Sequence, residues 1–327
     1  MKIIIPIAST DQDIFSEFSA IKPLVKLGKK TMIEIFVENF KFNFEYIFLC
    51  KQQDLIEKNL LTVLKNLKVK KKIIEIKKNT SSVLETISYA KKHIKLDEQI
   101  LICHLDNINF FFSKRKLLNK LKKPNIDGYL FAFNEDSQTN TSETHTGRVI
   151  IRRNKIERII EKTIKIENSK RLAGIYHFKK WSDYLKYSKK TLDKQLPVKN
   201  RYFVSQVYNE YIRDKKRIKI FLIKKHITFG LVPYIKEYNF WYKYFNTNIK
   251  RKLKNKFNFI NLVPSCGVGA RFSKENKSNF KPLIQVDNKY MIAKTIDSLP
   301  KTKKNVVIMR QDHDKKHKFG TKLKSKI

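Results

Sequence analysis

Glycine and proline are scarce in this 327-residue chain, at eight each. The commonest turn-formers are thinly spread, and collagen-like or Pro/Gly-rich low-complexity architectures are excluded. Cysteines number three, and Cys50, Cys103 and Cys266 stand far apart with no C-x-x-C pair. That argues against a zinc site or a disulfide framework. Cys50 and Cys103 each end an apolar run, where a buried thiol is the ordinary role. No apolar stretch reaches the ~18 residues of a membrane span. The run from Ile3 to Ala8 is too short for a signal peptide and leads into Asp11 and Asp13. A cytoplasmic protein without a membrane span is expected. Acids are the last shortage: 30 Asp and Glu face 71 Lys and Arg, a formal charge of +41.

That charge has two readings. One is a polyanionic partner, either nucleic acid or an acidic membrane surface. The other is compositional drift. Lysine far outnumbers arginine, and Ile, Asn, Phe and Tyr are abundant, as an AT-rich genome would produce. The lysines run along the whole chain, as in Lys70-Lys71-Lys72 and Lys224-Lys225. A nucleic-acid binder concentrates Arg and aromatics on one face. Drift is favoured, and nucleic-acid binding ranks last. A hydrophobic fraction of 41% suffices for a real core.

The first half alternates strand and helix patterns. Residues 2–8 are a compact apolar run, the pattern of a strand buried on both faces, and 45–50, 73–76 and 99–104 read as further strands. Between them, Met32, Ile35, Phe36 and Phe40 recur at helical spacing, as do Val83, Ile87, Ala90 and Ile94. A further helix is predicted over 54–67. Repeated β-α units argue for a mostly parallel sheet covered by helices. Strands are then predicted at 128–133, 147–152, 155–160, 173–178 and 217–223, with helices at 181–193 and 203–213. Residues 236–256 read as a helix or linker, and a new strand begins at 259–264.

An internal repeat organises the chain. IKPLVKLGKKTMIE (21–34) matches FKPLIQVDNKYMIA (280–293), with Lys22 against Lys281 and Met32 against Met291 at one offset (281 − 22 and 291 − 32). Downstream, 46–54 lies against 305–313. Upstream, a one-residue gap aligns Pro6 with Pro264. The expected domains are 1–245, a basic linker 246–257, and an N-terminal fragment of a second copy, 258–327.

The second copy carries the most specific motif, PSCGVGARFSKENKSNFKPL (264–283). Gly267, Gly269, Arg271, Phe272 and Lys281-Pro282-Leu283 follow a strand in order. This resembles the signature of the sugar-phosphate nucleotidyltransferases of capsule and surface-polysaccharide synthesis. Glycines let backbone N–H groups approach a triphosphate, and Arg271 and Lys281 would offset its charge. The first copy resembles the rest of the family pattern over about residues 1–240.

The resemblance implies an α/β fold, a Rossmann-like, mostly parallel mixed sheet with helices on both faces (nucleotidyltransferase/GT-A-like), plus a partial second β-α-β unit. It implies that Lys22 and Asp106 are catalytic and that Asp106 binds Mg²⁺. It implies substrate contacts from Thr80, Thr86, Asp127, Glu161, Lys162 and Gly174, and a phosphate loop from Gly267, Gly269, Arg271 and Lys281. The implied partners are an NTP and a sugar phosphate or related phosphate, with a homo-oligomer left open. Each residue also has a plainer role: Asp106 as a cap, Thr80 as an N-cap, Glu161-Lys162 as a solvated pair.

Two departures bear on activity. Ser9, Asp11 and Asp13 stand where the repeat aligns Gly267, Gly269 and Arg271, placing acids where a triphosphate would bind. Thr228 stands two residues before Gly230, where the family has a second metal-binding Asp. A nucleotidyltransferase is the leading expectation. A degenerate nucleotide- or partner-binding domain is the alternative. A glycosyltransferase ranks lower, because Asp106-Asn107-Ile108 is not Asp-x-Asp.

Overall fold

The computed structural model describes residues 1–8, 17–57, 59–110, 113–134, 147–163, 166–246, 260–267, 280–286, 288–302 and 304–324. Ser9, Asp11, Asp13, Gly269, Arg271, Phe272 and residues 247–257 of the expected linker lie outside them. The chain divides into two compact units, Met1–Thr247 and Asn248–Ile327.

In the first unit the strands are β1 (Lys2–Pro6), β2 (Lys26–Leu27), β3 (Lys30–Thr31), β4 (Glu45–Lys51), β5 (Lys71–Ile76), β6 (Ile100–Cys103), β7 (Asn107–Phe110), β8 (Gly128–Phe133), β9 (Arg148–Arg152), β10 (Lys155–Ile160), β11 (Ser169–Phe178), β12 (Ile218–Leu222) and β13 (Lys225–Thr228). The helices are α1 (Met32–Phe40), α2 (Gln52–Ile56), α3 (Leu60–Asn66), α4 (Val83–Ser88), α5 (Lys114–Leu121), α6 (Trp181–Asp193), α7 (Val207–Arg213) and α8 (Val232–Asn246).

Nine strands form one mixed sheet in the order β10-β9-β11-β6-β1-β4-β5, with β8 pairing to both β11 and β12. Pairs β1–β4, β1–β6, β4–β5 and β8–β12 are parallel. Strand β11 is antiparallel to β6, β8 and β9. The pleat explains the apolar runs. Ile3 and Ile5 enter one core with α1 and α5, while Ile4 enters the other with α4, α6 and α7. Helices thus cover both faces, and each fully buried Ile contributes about 2 kcal/mol.

Local signals set the helix ends. Thr31 and Glu34 make a reciprocal capping box at the start of α1. The single helix predicted over 54–67 is two, because Asn59 adopts the left-handed conformation (φ 57°) that Asn tolerates. Helix α4 ends at Ser88 and a 3₁₀ turn follows at Lys91–His93, yet Ala90 and Ile94 stay buried. In the first unit four strands and one helix escape the sequence reading: β2 and β3, a two-residue hairpin pair, β7 and β13, which form their own antiparallel ribbon, and α5.

In the second unit, β14 (Ile260–Pro264) runs parallel to β17 (Lys304–Ile308). Between them lie the hairpin β15 (Gln285–Val286) and β16 (Lys289–Tyr290) and helix α9 (Met291–Ser298). Helices α10 (Gln311–His317) and α11 (Phe319–Lys324) follow. Each unit has a 3₁₀ turn at its K-P-L, Lys22–Leu24 and Lys281–Leu283. The hydrogen bonds match as well. Leu24 N–H donates to Ile21 O at 2.9 Å and Leu283 N–H to Phe280 O at 2.9 Å. Met32 N–H reaches Val25 O at 2.9 Å and Met291 N–H reaches Ile284 O at 2.8 Å.

Candidate functional site

Parallel strands β1 and β6 end side by side, and a pocket of about 250 Å³ opens over their C-terminal ends. Open α/β sheets place ligands at such ends. The chain leaves β1 as Pro6-Ile7-Ala8 along one wall, and leaves β6 as His104-Leu105-Asp106 across the floor. The 3₁₀ turn brings Lys22, the segment before α4 brings Thr80 to Val83 with Thr86, and a loop before α7 brings Arg201, Tyr202 and Phe203.

Asp106 is the centre of the floor. Lys22 Nζ donates to its Oδ2 at 2.5 Å, and Asn107 Nδ2 to its Oδ1 at 2.9 Å. Burial works to raise this carboxyl, but Lys22, with His104, outweighs it and holds Asp106 below the ordinary carboxylate value. His104 is pushed down by burial, against the pull of Asp106, so its imidazole is neutral at pH 7.

The ribbon β7–β13 carries a second segment to Asp106. Thr228 pairs with Asn107 across it. Phe229 N–H donates to Asp106 O at 2.7 Å, and Thr228 Oγ1 lies 3.5 Å from the same oxygen. A Cβ built on Gly230 would stand 3.2 Å from Asp106 Oδ2. The position at which the family pattern calls for a second acid therefore adjoins Asp106, and it holds a hydroxyl.

On the wall, Thr80 Oγ1 and Thr86 Oγ1 share a 2.6 Å hydrogen bond, while Ser82 caps α4 by accepting from Glu85 N–H at 3.2 Å. Gly174 flanks the floor with φ 71°, and its carbonyl accepts from His104 N–H at 2.9 Å. A Cβ there would meet Asn107 Nδ2 at 2.6 Å, so glycine is what lets Asn107 reach Asp106.

Glu161 and Lys162 stand beside the pocket, off its wall. The Glu161 carboxyl is buried and accepts from the Ser205 hydroxyl. Burial raises it to about 7, against the pull of Ser205 and Lys162. Burial also lowers the Lys162 ammonium, opposed by Glu161 and reinforced by Lys199 and Arg201. Lys162 Nζ lies 5.6 Å from the centre of the Phe203 ring on the pocket wall.

Of the expected residues, Lys22, Thr80, Thr86 and Asp106 line the pocket, with Glu161, Lys162 and Gly174 next to it. Asp127 is not among them. It precedes β8, whose Gly128 lies level with Phe178 of β11, and Phe178 is level with Ile100 at the start of β6. Asp127 therefore sits at the opposite end of the sheet, where its carboxylate accepts from Arg217 N–H at 2.7 Å. In the second unit Lys281 opens its 3₁₀ turn and Gly267 follows β14. The sequence reading missed Arg201, His104 and Asn107. Their only signal is adjacency to quoted motifs, in H-L-D-N and just before Phe203.

Mg²⁺ is held by one or two carboxylates completed by phosphates and water. The described residues contain no group of three His, Cys, Asp or Glu able to hold a metal. Two carboxylates line the pocket, Asp54 and the central Asp106, and Asp106 already has a donor on each oxygen. These residues do not by themselves fit a Mg²⁺ site.

No family model matches the sequence, and no curated protein matches it. Solved structures do match the fold. A nucleoside-diphosphate-sugar pyrophosphorylase from Vibrio cholerae RC9 superposes with a TM-score of 0.55 at 15% identity, over 73% of this chain and 99% of its own. A UDP-glucose pyrophosphorylase complexed with UDP-glucose gives 0.57 at 16%, over 74% and 98%. The inositol-1-phosphate CTP transferase of T. maritima gives 0.54 at 13%, over 74% and 96%. At these identities the likeness is one of fold: an α/β architecture with a mostly parallel central sheet.

Proposed function

We propose that the pocket of the first unit binds a nucleoside triphosphate and passes its nucleotidyl group to a sugar phosphate or related phosphate. The observation that carries this is the convergence of Lys22, Arg201 and Lys162 around Asp106 at the C-terminal ends of parallel strands. Lys22 and Arg201 on the wall, with Lys162 beside them, face two lining carboxylates, Asp54 and Asp106, and such a cluster of cations suits a ligand bearing several phosphates. The fold shared with pyrophosphorylases and a CTP transferase supports the same reading.

In this reading the base lies along Thr80 to Val83 and the triphosphate turns toward Lys22. An acceptor phosphate oxygen attacks the α-phosphorus in line, the P–O bond to the β-phosphate breaks, and pyrophosphate leaves with the electron pair. Lys22 offsets charge on the triphosphate, and Lys162 and Arg201 hold the acceptor phosphate. Glu161, beside them, hydrogen-bonds the acceptor. The product is a nucleotide-activated sugar or alcohol, the kind of precursor that surface-polysaccharide synthesis consumes. The matching K-P-L turns support the repeat reading, with Lys281 as the second unit's counterpart of Lys22.

A second reading has its own observation. Thr228 adjoins Asp106 where an acid is expected, and Lys22 already neutralises that carboxylate. A site so built binds nucleotide without turning it over. Titration of the purified chain with each NTP, followed by pyrophosphate release over a panel of sugar phosphates, separates the two. Binding with release supports transfer, and binding without release supports the second reading. If no NTP binds at millimolar concentration, or if Lys22→Ala and Arg201→Ala bind as well as wild type, both readings fail.

A further inference from the structure

Helix α8 carries an exposed aromatic face. Ile235, Tyr238, Asn239 and Tyr242 recur at helical spacing and turn inward. Ile235 is fully buried, Asn239 Oδ1 accepts from Gly28 N–H at 2.7 Å, and the Tyr242 ring closes over Gly28. Phe240, Trp241, Tyr244 and Phe245 turn the other way and are 61%, 46%, 46% and 74% exposed. Their rings pack on one another: Trp241 lies 5.2 Å from Phe240, 5.7 Å from Tyr244 and 5.8 Å from Phe245. A contiguous aromatic patch in water marks an interaction surface.

We propose that this face docks on an anionic lipid bilayer, with the rings at headgroup depth and the helix lying in the plane of the membrane. Charge selects this occupant. The chain carries a formal charge of +41; on the exposed side of the same helix lie Lys236, paired with Glu17 at 2.7 Å, Glu237 and Lys243, and the sequence beyond it reads Lys250, Arg251, Lys252, Lys254 and Lys256. Trp, Tyr and Phe flanked by basic side chains is the composition that settles at an acidic membrane surface. A second copy of the chain would bring like charge against like. Single-stranded nucleic acid stacks on free ring faces in a groove, whereas these rings stand on a convex helix and cover one another.

The chain has two tryptophans, and Trp181 is fully buried. Trp241 is therefore the emission that a bilayer can shift. The full chain is mixed with vesicles of phosphatidylcholine alone or of phosphatidylcholine with phosphatidylglycerol, and binding is read by co-sedimentation and tryptophan emission. The expected result is binding to the anionic vesicles only, with a blue shift and quenching by brominated lipid. A Trp241→Ala/Phe245→Ser double variant, altered only at exposed positions, weakens that binding by about tenfold or more. Anionic-vesicle binding unchanged in the double variant overturns the proposal. So does Trp241 emission that responds to single-stranded RNA but not to vesicles, or a lipid-free dimer abolished by the double variant.

Discussion

Replacing Glu161 by Gln should stabilise the first unit above neutral pH and leave it unchanged in mild acid. The Glu161 carboxyl is buried, and burial raises it from 4.5 to about 7 in the folded chain. As pH rises past 4.5 the unfolded chain releases this proton first, while the folded chain keeps it until about 7. Across that window the native state binds more protons, so stability falls as pH rises and levels off above 7. The span corresponds to about 3 kcal/mol. A Gln at this position keeps an oxygen to accept from Ser205 and has no proton to lose. Trp181 and Trp241 both lie in Met1–Thr247, so tryptophan fluorescence during urea unfolding follows the first unit alone. The wild-type midpoint should drop between pH 5 and pH 8 while that of the variant stays nearly level. A difference between the two proteins that is constant from pH 5 to pH 8 would refute the reasoning.

Gly174→Ala should lower the melting temperature, costing about 1–3 kcal/mol, because φ is 71° and the new methyl would meet Asn107 Nδ2 at 2.6 Å; a variant as stable as wild type counts against that packing. Thr228→Asp should create divalent-ion affinity in the absence of nucleotide, about tenfold or more above wild type, since a second carboxylate then adjoins Asp106. Manganese titration followed by electron paramagnetic resonance reads it, and wild type binding manganese equally well would contradict the donor analysis. Lys22→Met should shift the Asp106 carboxyl upward, because burial then acts without the ammonium that opposes it. A ¹³C carboxylate titration that stays put would show that Lys22 is not the cause.

Strands β1, β4 and β6 were legible because burial on both faces makes every position apolar, so composition alone marks them. The ribbon β7–β13 was not, for a physical reason. It stands outside the main sheet and hides polar side chains by pairing them: His226 Nδ1 and Asn109 Oδ1 share a 2.7 Å hydrogen bond within the buried region. N-I-N-F alternates polar and apolar residues over only four positions, and K-H-I-T holds a single apolar residue, so neither offers a hydrophobic period long enough to detect. Helix α5 escaped similarly, since it buries only Leu117 and Leu121 in an otherwise basic segment. The same ribbon is what places Thr228, a position the motif before Gly230 had singled out, beside Asp106.

Asp106 and Asp127 show where a motif stops being informative. Each is an acid beside an apolar strand, and each matched the family pattern. Strand β8 is antiparallel to β11, which is antiparallel to β6, so β8 and β6 point the same way. Asp106 follows its strand and Asp127 precedes its own, which puts them at opposite ends of the sheet. That direction depends on β11 pairing with both strands across long sequence separations, and no local pattern encodes it. Arg201 was missed for the complementary reason. It stands beside Lys162 only because Lys162 follows β10 and Arg201 precedes α7, two elements that pack together in the fold while the residues are some forty apart (201 − 162) in the chain. Chemistry carried by one strand end is readable from sequence, whereas chemistry assembled between elements awaits the pairing that brings them together.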